Sequence, residues 1–448
     1  MIEKYLVKKI TEPVDWKVTV PGSKSMTNRA LLLAALSAGT VRVEGVLFSD
    51  DSRHFLACLV SLGFTVEIEE EKKCVTVTGC GGRIPRGEAV IDVGSAGTAA
   101  RFLAAMLGFS DGCYEIRCSA QMKRRPMAEL FDLLSGAGAK ITFLEEEGHL
   151  PVRITGCRYA RADKTAGETP RELSLDITKS TQFLSALLLI APMVPEGMKI
   201  HITSEKTDGS YIRITRKMMQ EFGVSVAFDG RDYEVPCRSS YRKETYMVEP
   251  DMSAACYFYA AAAVTGGRAL VRHVHMDNTQ GDLRFLEVLE HMGCTADDTP
   301  EGVLVTGPAD GALRGITVNM NDFSDQALTL AAIAPFADAP VRIEGIGHIR
   351  GQECDRIHAI QTNLTALGIR CEEEETAATI YPGSPHGGSV ETYDDHRVAM
   401  AFSLVGLRTD GIVIENPACC RKTFENYFTV LSELTGKKTE ARSSAGFA

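Results

Sequence analysis

A short cluster of hydroxyl and basic residues near the start of the chain has the composition of an anion-binding site. It runs from Pro21 to Arg29 and opens an apolar stretch rich in Ala and Leu. Pro and Gly turn the chain, Ser25 offers a hydroxyl, and Lys24 and Arg29 supply two positive charges. The GxxxxGK[ST] spacing of nucleotide-binding phosphate loops is absent, which disfavours nucleotide hydrolysis. A capped helix start with chance basic neighbours is the plain alternative.

Two further clusters in the first half of the chain are made of small and hydroxyl residues. The stretch from Gly94 to Thr98 contains two glycines, which permit close approach of a ligand to the backbone. Ser180-Thr181-Gln182 offers hydroxyls and backbone N–H groups to a phosphate, although plain N-capping explains these residues equally well. Arg125 precedes a proline at a predicted helix start, and we expect its side chain to project there.

The clusters of the second half add carboxylates to the cations. Asp is a common N-cap, but an Asp that faces a cationic pocket can instead take a hydroxyl proton. Charged runs at 353–356, 394–397 and 421–423 place acids beside basic residues, which predicts either buried ion pairs or poised acids and bases. The candidates in this half are Asp251, Asp325, Glu353, Arg356, His396, Arg397 and Lys422.

These clusters recur at a nearly fixed spacing. Six copies are separated by 71, 85, 71, 74 and 70 residues, counted from Lys24, Ser95, Ser180, Asp251, Asp325 and Asp395. In each copy a polar cluster follows a strand-like stretch and opens an apolar helix, which indicates one supersecondary unit used repeatedly. Helix N-termini attract anions. Six such termini directed at one place predict a strong anion site.

The pattern predicts an α/β protein of two similar lobes, since 448 residues exceed what one hydrophobic core usually serves. The helices that open the repeats are apolar nearly all round, so we expect sheets to surround them. The first lobe is predicted to span 21–240, and the second to combine 1–20 with 241–436. In this interpretation the N-terminal strands complete the last repeat. The polar tail at 437–448 is expected to be disordered.

Composition and charge narrow the function. A net charge of −11 argues against nucleic acid as the main partner, although a local field can still hold a small anion. No apolar run reaches the roughly 18 residues of a membrane span, and the N-terminus lacks a signal-peptide core. We therefore expect a cytoplasmic protein, monomeric, with no membrane partner. The thirteen cysteines lack paired metal spacing and are expected to be reduced and mostly buried.

Taken in order, the motifs resemble those of the 5-enolpyruvylshikimate-3-phosphate (EPSP) synthases, within the enolpyruvyl transferase family. The resemblance covers residues 5–434 and rests on PGSKS..NRA, AGTA.R, RP, S.Q, DxxxA, ECDR, DDHR and KTF. It implies two lobes of three βαβαββ units each, an inside-out α/β barrel with the active site in the interdomain cleft.

The resemblance also implies a reaction. The enolpyruvyl group of phosphoenolpyruvate would pass to the 5-hydroxyl of shikimate 3-phosphate through a tetrahedral ketal, with release of phosphate. The reaction belongs to the shikimate pathway, which leads to chorismate and the aromatic amino acids. The family uses no metal or other cofactor, and its inhibitor glyphosate competes with phosphoenolpyruvate.

Carried over by position, the resemblance assigns roles to individual residues. Asp325 is the expected base at the 5-hydroxyl, and Glu353 with Lys24 is the expected proton shuttle at the methylene carbon. Ser95, Asp251 and His396 are expected to support the site. The expected phosphoenolpyruvate ligands are Lys24, Gly97, Arg125, Gln182, Arg356, Arg397 and Lys422. The expected shikimate 3-phosphate ligands are Lys24, Ser25, Arg29, Ser180, Thr181, Gln182, Tyr211, Asp325, His348 and Gln352.

One of these positions departs from the family pattern. Gln352 stands where a lysine usually binds the shikimate phosphate. A charge-assisted hydrogen bond contributes about 1.5–3 kcal/mol, so affinity is expected to fall about ten- to a hundredfold unless His348 or Arg350 compensates. The phosphate-binding serine before Tyr211 is either Ser204 or Ser210.

Two alternative functions stay open at this point. A UDP-N-acetylglucosamine enolpyruvyl transferase is disfavoured because Ser25 follows Lys24, where that enzyme has Asn, and because Cys118 is expected to pack in a strand. A catalytically silent anion-binding relative is suggested by Gln352.

Overall fold

A computed structural model describes residues 3–157, 170–178, 180–308 and 312–436. The chain is mixed α/β, as predicted, and divides into two compact units. The first unit holds residues 21–251 and 278–281, and the second holds the described residues of 1–20, 252–277 and 282–448. The tail predicted to be disordered, 437–448, lies outside the described residues.

The described residues of the first unit form three sheets of four strands, each with one parallel and two antiparallel pairings. In spatial order the first sheet is Thr245–Met247, Thr40–Glu44, Cys74–Thr78 and Thr65–Glu69. The second is Glu88–Asp92, Cys113–Arg117, Val152–Thr155 and Lys140–Phe143, and the third is Arg171–Leu175, Met198–Ile202, Asp232–Val235 and Ala227–Phe228. The α-helices are Lys24–Leu36, Asp50–Ser61, Gly97–Gly108, Ala120–Lys123, Ala128–Gly136, Thr181–Ile190 and Ser210–Glu221.

The second unit repeats this plan with two four-stranded sheets and one of three strands. The first is Thr295–Thr299, Gly302–Thr306, Arg268–Arg272 and Asp15–Val18, and the second is Thr317–Asn319, Val341–Glu344, Ala378–Ile380 and Cys371–Glu373. The three-stranded sheet is Lys4–Leu6, Ile412–Glu415 and Gly388–Val390. The α-helices are Met252–Thr265, Phe285–His291, Ala327–Ile333, Arg356–Ala366, His396–Arg408 and Tyr427–Leu434.

The helices that open the repeats form the interior of each unit. Every residue of Gly97–Gly108 is buried, as is every residue of Ala327–Ile333. Burial on all sides is what an all-round apolar helix requires. Each unit has its own hydrophobic core. The second helices stop at the glycines expected from the sequence, for example Gly63 and Gly138, whose φ angles of 93° and 98° suit the residue after a helix end.

The strand pairing places the N-terminal segment in the second unit and divides it between two repeats. Lys4–Leu6 pairs antiparallel with the last strand, Ile412–Glu415, and so completes the sixth repeat. Asp15–Val18 instead pairs parallel with Arg268–Arg272 and extends the sheet of the fourth repeat. The prediction that the N-terminal strands complete the last repeat is therefore correct for Lys4–Leu6 but not for Asp15–Val18.

The boundary between the units also differs from the expected one at residue 240. Thr245–Met247 pairs parallel with Thr40–Glu44, so the chain leaves the first unit only after Asp251. A short excursion at 278–281 returns to the first unit, where Thr279 donates to the carboxylate of Glu249. Neither feature had a signal in composition, because both depend on contacts with segments distant along the chain.

Candidate active site

Lys24 is the first residue of its helix and lies beside a buried carboxylate. Its Nζ is 3.6 Å from Oδ2 of Asp51, with 18% of the Lys24 side chain and 4% of the Asp51 side chain exposed. Asp51 sits in the first turn of the neighbouring helix, Asp50–Ser61. Sequence reasoning missed Asp51, although acidic residues in a first helical turn are a recognisable signal. The amine is thus held in place while its tip stays accessible.

Arg29 lies one helical turn after Ser25 and is only 1% exposed. Its guanidinium donates to the Ser25 carbonyl at 2.9 Å, to Thr215 Oγ1 at 2.8 Å and to the Tyr211 carbonyl at 3.3 Å. Desolvation lowers the pKa of Arg29 to about 10. Its observed role is to join two helices and fix the backbone that carries Ser25 and Tyr211. Its predicted contact with shikimate 3-phosphate stays a prediction.

Four residues of the first unit, Gly97, Arg101, Arg125 and Gln182, form what we term the arginine cluster. Arg101 Nη1 donates to the Gly97 carbonyl and to Gln182 Oε1, each at 3.0 Å. A β-carbon at Gly97 would lie 2.7 Å from the Nη1 atoms of both Arg101 and Arg125. The absence of a side chain at Gly97 therefore lets two guanidinium groups approach one backbone position. Three residues predicted from the sequence meet here, and Arg101 links them.

Three consecutive basic residues, at 123–125, precede Pro126 and lie in three different environments. Lys123 pairs with Glu145 and Arg124 is exposed, whereas Arg125 is half-buried against Gly97. Of these three residues, Arg125 reaches the arginine cluster. The helix predicted to start at Pro126 begins instead at Ala128, so Arg125 lies in the connection between two helices.

The hydroxyl residues of the first unit act mainly as caps and bridges. Ser180 accepts from the Gln182 N–H at 3.2 Å, which is the N-capping role that the sequence left open. Thr181 starts the helix that Ser180 caps. Ser95 Oγ lies 2.6 Å from Ser119 Oγ.

The two serines considered for the phosphate are both mostly buried. Ser204 accepts from the Ile177 N–H and donates to the Lys206 carbonyl. Ser210 is the first residue of the helix Ser210–Glu221. Ser204 is thus committed to holding its loop, and Ser210 has the helix-start position that suits an anion.

In the second unit, charged residues from four segments meet in what we term the carboxylate cluster. Its centre is Arg356, which is 1% exposed and begins the helix Arg356–Ala366. The guanidinium donates to Asp395 at 2.8 Å, to Asp325 at 3.0 Å and to Glu353 at 3.1 Å. Burial opposes its charge, but these three carboxylates outweigh burial and raise the pKa of Arg356. The full cluster is Asp325, Glu353, Arg356, Asp395, Arg397 and Lys422.

The two predicted acid–base residues each lie between two cations. Asp325 accepts from Arg356 Nη1 at 3.0 Å and from Arg397 Nη2 at 2.9 Å. Glu353 contacts Arg356 Nη2 at 3.1 Å and Lys422 Nζ at 3.0 Å. The cations on either side hold each carboxylate in a fixed position. The structure therefore brings together five residues predicted separately from the sequence.

Asp395 marked the sixth repeat and belongs to the charged run 394–397, but the sequence analysis did not select it as a site residue. It is fully buried, bonds Arg356, and caps its own helix by accepting from the Arg397 N–H at 2.8 Å. His396 follows it and is also buried, with Nδ1 3.6 Å from Asp395 Oδ1. The one carboxylate thus sets the positions of both arginines in the cluster.

Gln352, which stands where the family usually has lysine, and its neighbours His348 and Arg350 contact different partners. Gln352 accepts from Arg356 Nη1 and so contacts the central residue of the carboxylate cluster. His348 contacts Ser324 at 2.8 Å, one residue before Asp325. Arg350 is bonded to Asp355 and Glu373, at 2.8 and 2.7 Å, and to backbone carbonyls. Arg350 is therefore engaged elsewhere and is a poor candidate to replace the missing lysine.

Asp251 lies at the end of the first unit. Its N–H donates to the Pro21 carbonyl at 2.8 Å, and its side chain is mostly buried. This contact joins the two ends of the continuous segment 21–251, so Asp251 supports the backbone near Lys24.

The two clusters differ in charge. The carboxylate cluster has three cations and three carboxylates, whereas the arginine cluster has two cations and a neutral glutamine. In the part of the chain that the structure describes, no group of three or more His, Cys, Asp or Glu side chains is arranged to hold a metal ion. No helix among the same residues is both long and apolar enough to cross a bilayer. The arrangement suits recognition of anions and proton transfer by carboxylates.

Comparison with known proteins agrees with this geometry. A family model described as EPSP synthase (3-phosphoshikimate 1-carboxyvinyltransferase) matches residues 8–431. A protein of Trichormus variabilis named 3-phosphoshikimate 1-carboxyvinyltransferase is 41% identical over 429 residues, covering 96% of this chain and 98% of its own. A second such protein, from Halalkalibacterium halodurans, is 38% identical over 95% of this chain and 93% of its own.

Solved structures show the same similarity. The EPSP synthase of Acinetobacter baumannii superposes with a TM-score of 0.77 at 25% identity, covering 96% of this chain and 97% of its own. The enolpyruvyl transferase NikO of Streptomyces tendae shares the fold, with a TM-score of 0.72 at 17% identity over 96% of this chain and 97% of its own.

Proposed function

This chain belongs to the EPSP synthase family, and we propose that it transfers the enolpyruvyl group of phosphoenolpyruvate to the 5-hydroxyl of shikimate 3-phosphate, releasing phosphate. The observation that carries the proposal is the carboxylate cluster, in which Asp325 and Glu353 each lie between two cations. An addition–elimination needs one group to accept the hydroxyl proton and another to move a proton at the methylene carbon. The cluster supplies two carboxylates for these two tasks.

Binding of phosphoenolpyruvate uses cations from both clusters in this proposal. The proposed ligands of its phosphate and carboxylate are Lys24, Arg125, Gln182, Arg356, Arg397 and Lys422. Arginine suits carboxylate and phosphate because its guanidinium offers two parallel N–H donors. Gly97 leaves room for the ligand at the backbone. The location of this site in a cleft between two lobes stays a prediction.

Binding of shikimate 3-phosphate uses hydroxyls and backbone groups in addition to charge. Ser25, Ser180, Thr181 and Gln182 lie at helix starts, where backbone N–H groups favour a phosphate. Tyr211 stands at the start of another helix, and its backbone is fixed by Arg29. His348 and Gln352 are assigned to the same substrate from the second unit.

The chemical step follows from the placement of Asp325 and Glu353. Asp325 takes the proton of the 5-hydroxyl as that oxygen bonds to C2 of phosphoenolpyruvate. Glu353, with Lys24, delivers a proton to the methylene carbon, which gives the tetrahedral ketal. Loss of phosphate breaks the C2–O bond, and the departing phosphate takes up the proton that left the 5-hydroxyl, which returns Asp325 to its starting form. The same shuttle removes a proton from the methyl group to regenerate the double bond. Arg356, Arg397 and Lys422 stabilise negative charge on the departing phosphate.

Phosphate release from phosphoenolpyruvate tests the proposal directly. Release that requires shikimate 3-phosphate is expected, and none is expected with UDP-N-acetylglucosamine. Cys118 was expected in a strand, but it lies one residue past the strand Cys113–Arg117 and packs partly buried against the core. Burial raises the pKa of its thiol to about 11, which does not suit a reactive loop cysteine. Release with the sugar nucleotide alone would overturn the proposal, and release with neither would favour a silent relative. The monomeric state and the cytoplasmic location stay proposals.

A further inference from the structure

The second unit contains a buried carboxylate, Asp282, that the proposed reaction does not use. Only 7% of Asp282 is exposed, and it lies in the short helix Gly281–Arg284. Its Oδ2 accepts from the Ser253 hydroxyl and from Gln326 Nε2, the latter at 2.9 Å. Gln326 is in turn held by the Thr329 hydroxyl at 2.9 Å. A buried acid with this many fixed partners has a defined orientation.

Ser253 connects Asp282 to the carboxylate cluster. Arg397 Nη2 carries two hydrogens, and it donates to Asp325 Oδ2 at 2.9 Å and to Ser253 Oγ at 3.3 Å. A serine hydroxyl has one hydrogen to donate and two lone pairs to accept with. Because Asp282 takes the hydrogen of Ser253, a lone pair of the same oxygen faces Arg397. The sequence of donors thus runs from Arg397 through Ser253 to Asp282.

We propose that Ser253 and Asp282 are a positioning pair that fixes the Arg397 guanidinium against Asp325. The inference rests on the function proposed above, in which Arg397 binds phosphoenolpyruvate and Asp325 is the base. Asp282 is a second carboxylate that could attract the Arg397 guanidinium. Its hydrogen bond with the Ser253 hydroxyl keeps Asp282 from competing with Asp325 for Arg397. Burial, and then the charge of Asp325, raise the pKa of Asp282 to about 6. This effect of Asp325 supports the closeness of Asp282 to the carboxylate cluster.

The first test compares Ser253→Ala with Ser253→Thr, which keeps the hydroxyl. Loss of a hydrogen bond to a charged group weakens binding about tenfold or more. Ser253→Ala is therefore expected to raise the KM for phosphoenolpyruvate at least about tenfold, with the KM for shikimate 3-phosphate changed less than about threefold. Ser253→Thr is expected to stay within about threefold of the wild type. An unchanged KM in Ser253→Ala, or equal defects in both variants, overturns the proposal.

A matched serine controls for loss of any buried hydroxyl. Ser403 lies on the same helix as Arg397, is fully buried, and bonds the Met400 carbonyl at 2.7 Å and Tyr427 at 2.9 Å. Ser403→Ala is expected to lower the melting temperature and leave both KM values unchanged. A KM increase equal to that of Ser253→Ala would mean that general packing, and not positioning, explains the effect.

Two further variants address Asp282 itself. Asp282→Asn keeps an oxygen that accepts from Ser253 and Gln326, whereas Asp282→Ala removes it. We expect Asp282→Ala to behave as Ser253→Ala and Asp282→Asn to stay within about threefold of the wild type at pH 8. If Ser253→Ala fails to fold, Ser253→Cys keeps the volume with weaker hydrogen bonding, and a KM unchanged in that variant rejects the pair.

The wild-type assay separates failure of this inference from failure of the proposed function. Wild-type protein that releases no phosphate with shikimate 3-phosphate contradicts the function itself. Active wild-type protein with unaffected Ser253→Ala and Asp282→Ala variants contradicts the positioning pair alone.

Discussion

The arginine cluster and the carboxylate cluster hold their guanidinium groups in different ways. Arg101 is bonded to a backbone carbonyl and a glutamine oxygen, both neutral. Arg356 is bonded to three carboxylates. A cation beside neutral acceptors keeps its attraction for an incoming anion, whereas a cation already paired with carboxylates gains less from one. The first cluster is suited to capture an anion, and the second to hold carboxylates for proton transfer.

Removal of the Asp325 carboxylate should give the largest effect on activity. It would distinguish a role in the chemical step from a role in substrate binding. A positioned general base contributes about 10²–10⁴-fold, so Asp325→Ala is expected to lower kcat by that factor. Binding of shikimate 3-phosphate and phosphoenolpyruvate should be largely retained, because Arg356 and Arg397 lose a competing carboxylate. Stopped assays for kcat and titration calorimetry for binding measure the two quantities.

Asp322→Asn is the matched control for this variant, because Asp322 precedes Asp325 by one turn and lies 3.9 Å from Arg284. It should leave kcat within about twofold. A kcat for Asp325→Ala close to that of Asp322→Asn would contradict the role of Asp325 as the base.

Arg125→Ala should give the next largest effect and tests the arginine cluster as the site of capture. Loss of one charge-assisted contact predicts an increase in the KM for phosphoenolpyruvate of about ten- to a hundredfold. Its neighbour Arg124 is exposed, so Arg124→Ala should leave the KM unchanged. Equal effects of the two substitutions would mean that the basic run acts only through its general field.

Gly97→Ala tests the arginine cluster in a second way, by adding a methyl group where its two arginines approach the backbone. The added methyl group would lie 2.7 Å from the Nη1 atoms of Arg101 and Arg125, so one or both guanidinium groups must move. We expect the KM for phosphoenolpyruvate to rise about three- to tenfold while the KM for shikimate 3-phosphate changes little. Gly136→Ala places its methyl group in open space and serves as the control. An unaltered KM in Gly97→Ala would show that the close approach of these arginines is unimportant for binding.

Much of the fold and of the candidate site could be predicted from the sequence, because the features of each repeat depend on residues close together along the chain. Each polar cluster directly precedes the helix that it opens, so Lys24 and Arg397 were predicted at helix starts and lie there. All-round apolar composition similarly predicted that these helices are buried. These features depend on neighbours within one helical turn, where sequence spacing determines position.

The rest depended on contacts between distant segments. Ser253 and Asp282 come from different parts of the fourth repeat and had no motif, yet they meet through one hydrogen bond. Arg29 was expected to bind a ligand, and its observed partners Thr215 and Tyr211 lie far along the chain. A side chain's partners are set by tertiary packing, which spacing along one segment does not specify.

The smallest expected effect concerns the buried acid behind the carboxylate cluster. Burial, and then Asp325, raise the pKa of Asp282 from 3.8 to about 6, while Arg397, Ser253 and Gln326 lower it. The native state therefore binds more protons than the unfolded state between about pH 4 and 6, so this group's contribution to stability falls as pH rises through that window. Asp282→Asn lacks this titration, and its stability relative to the wild type should increase from pH 4 to pH 7 by about 1–3 kcal/mol. Urea denaturation at both pH values measures the change, with Asp322→Asn as the control. Parallel pH dependences for the wild type and Asp282→Asn would show that Asp282 titrates normally, and would remove the reason to treat it as a restrained competitor for Arg397.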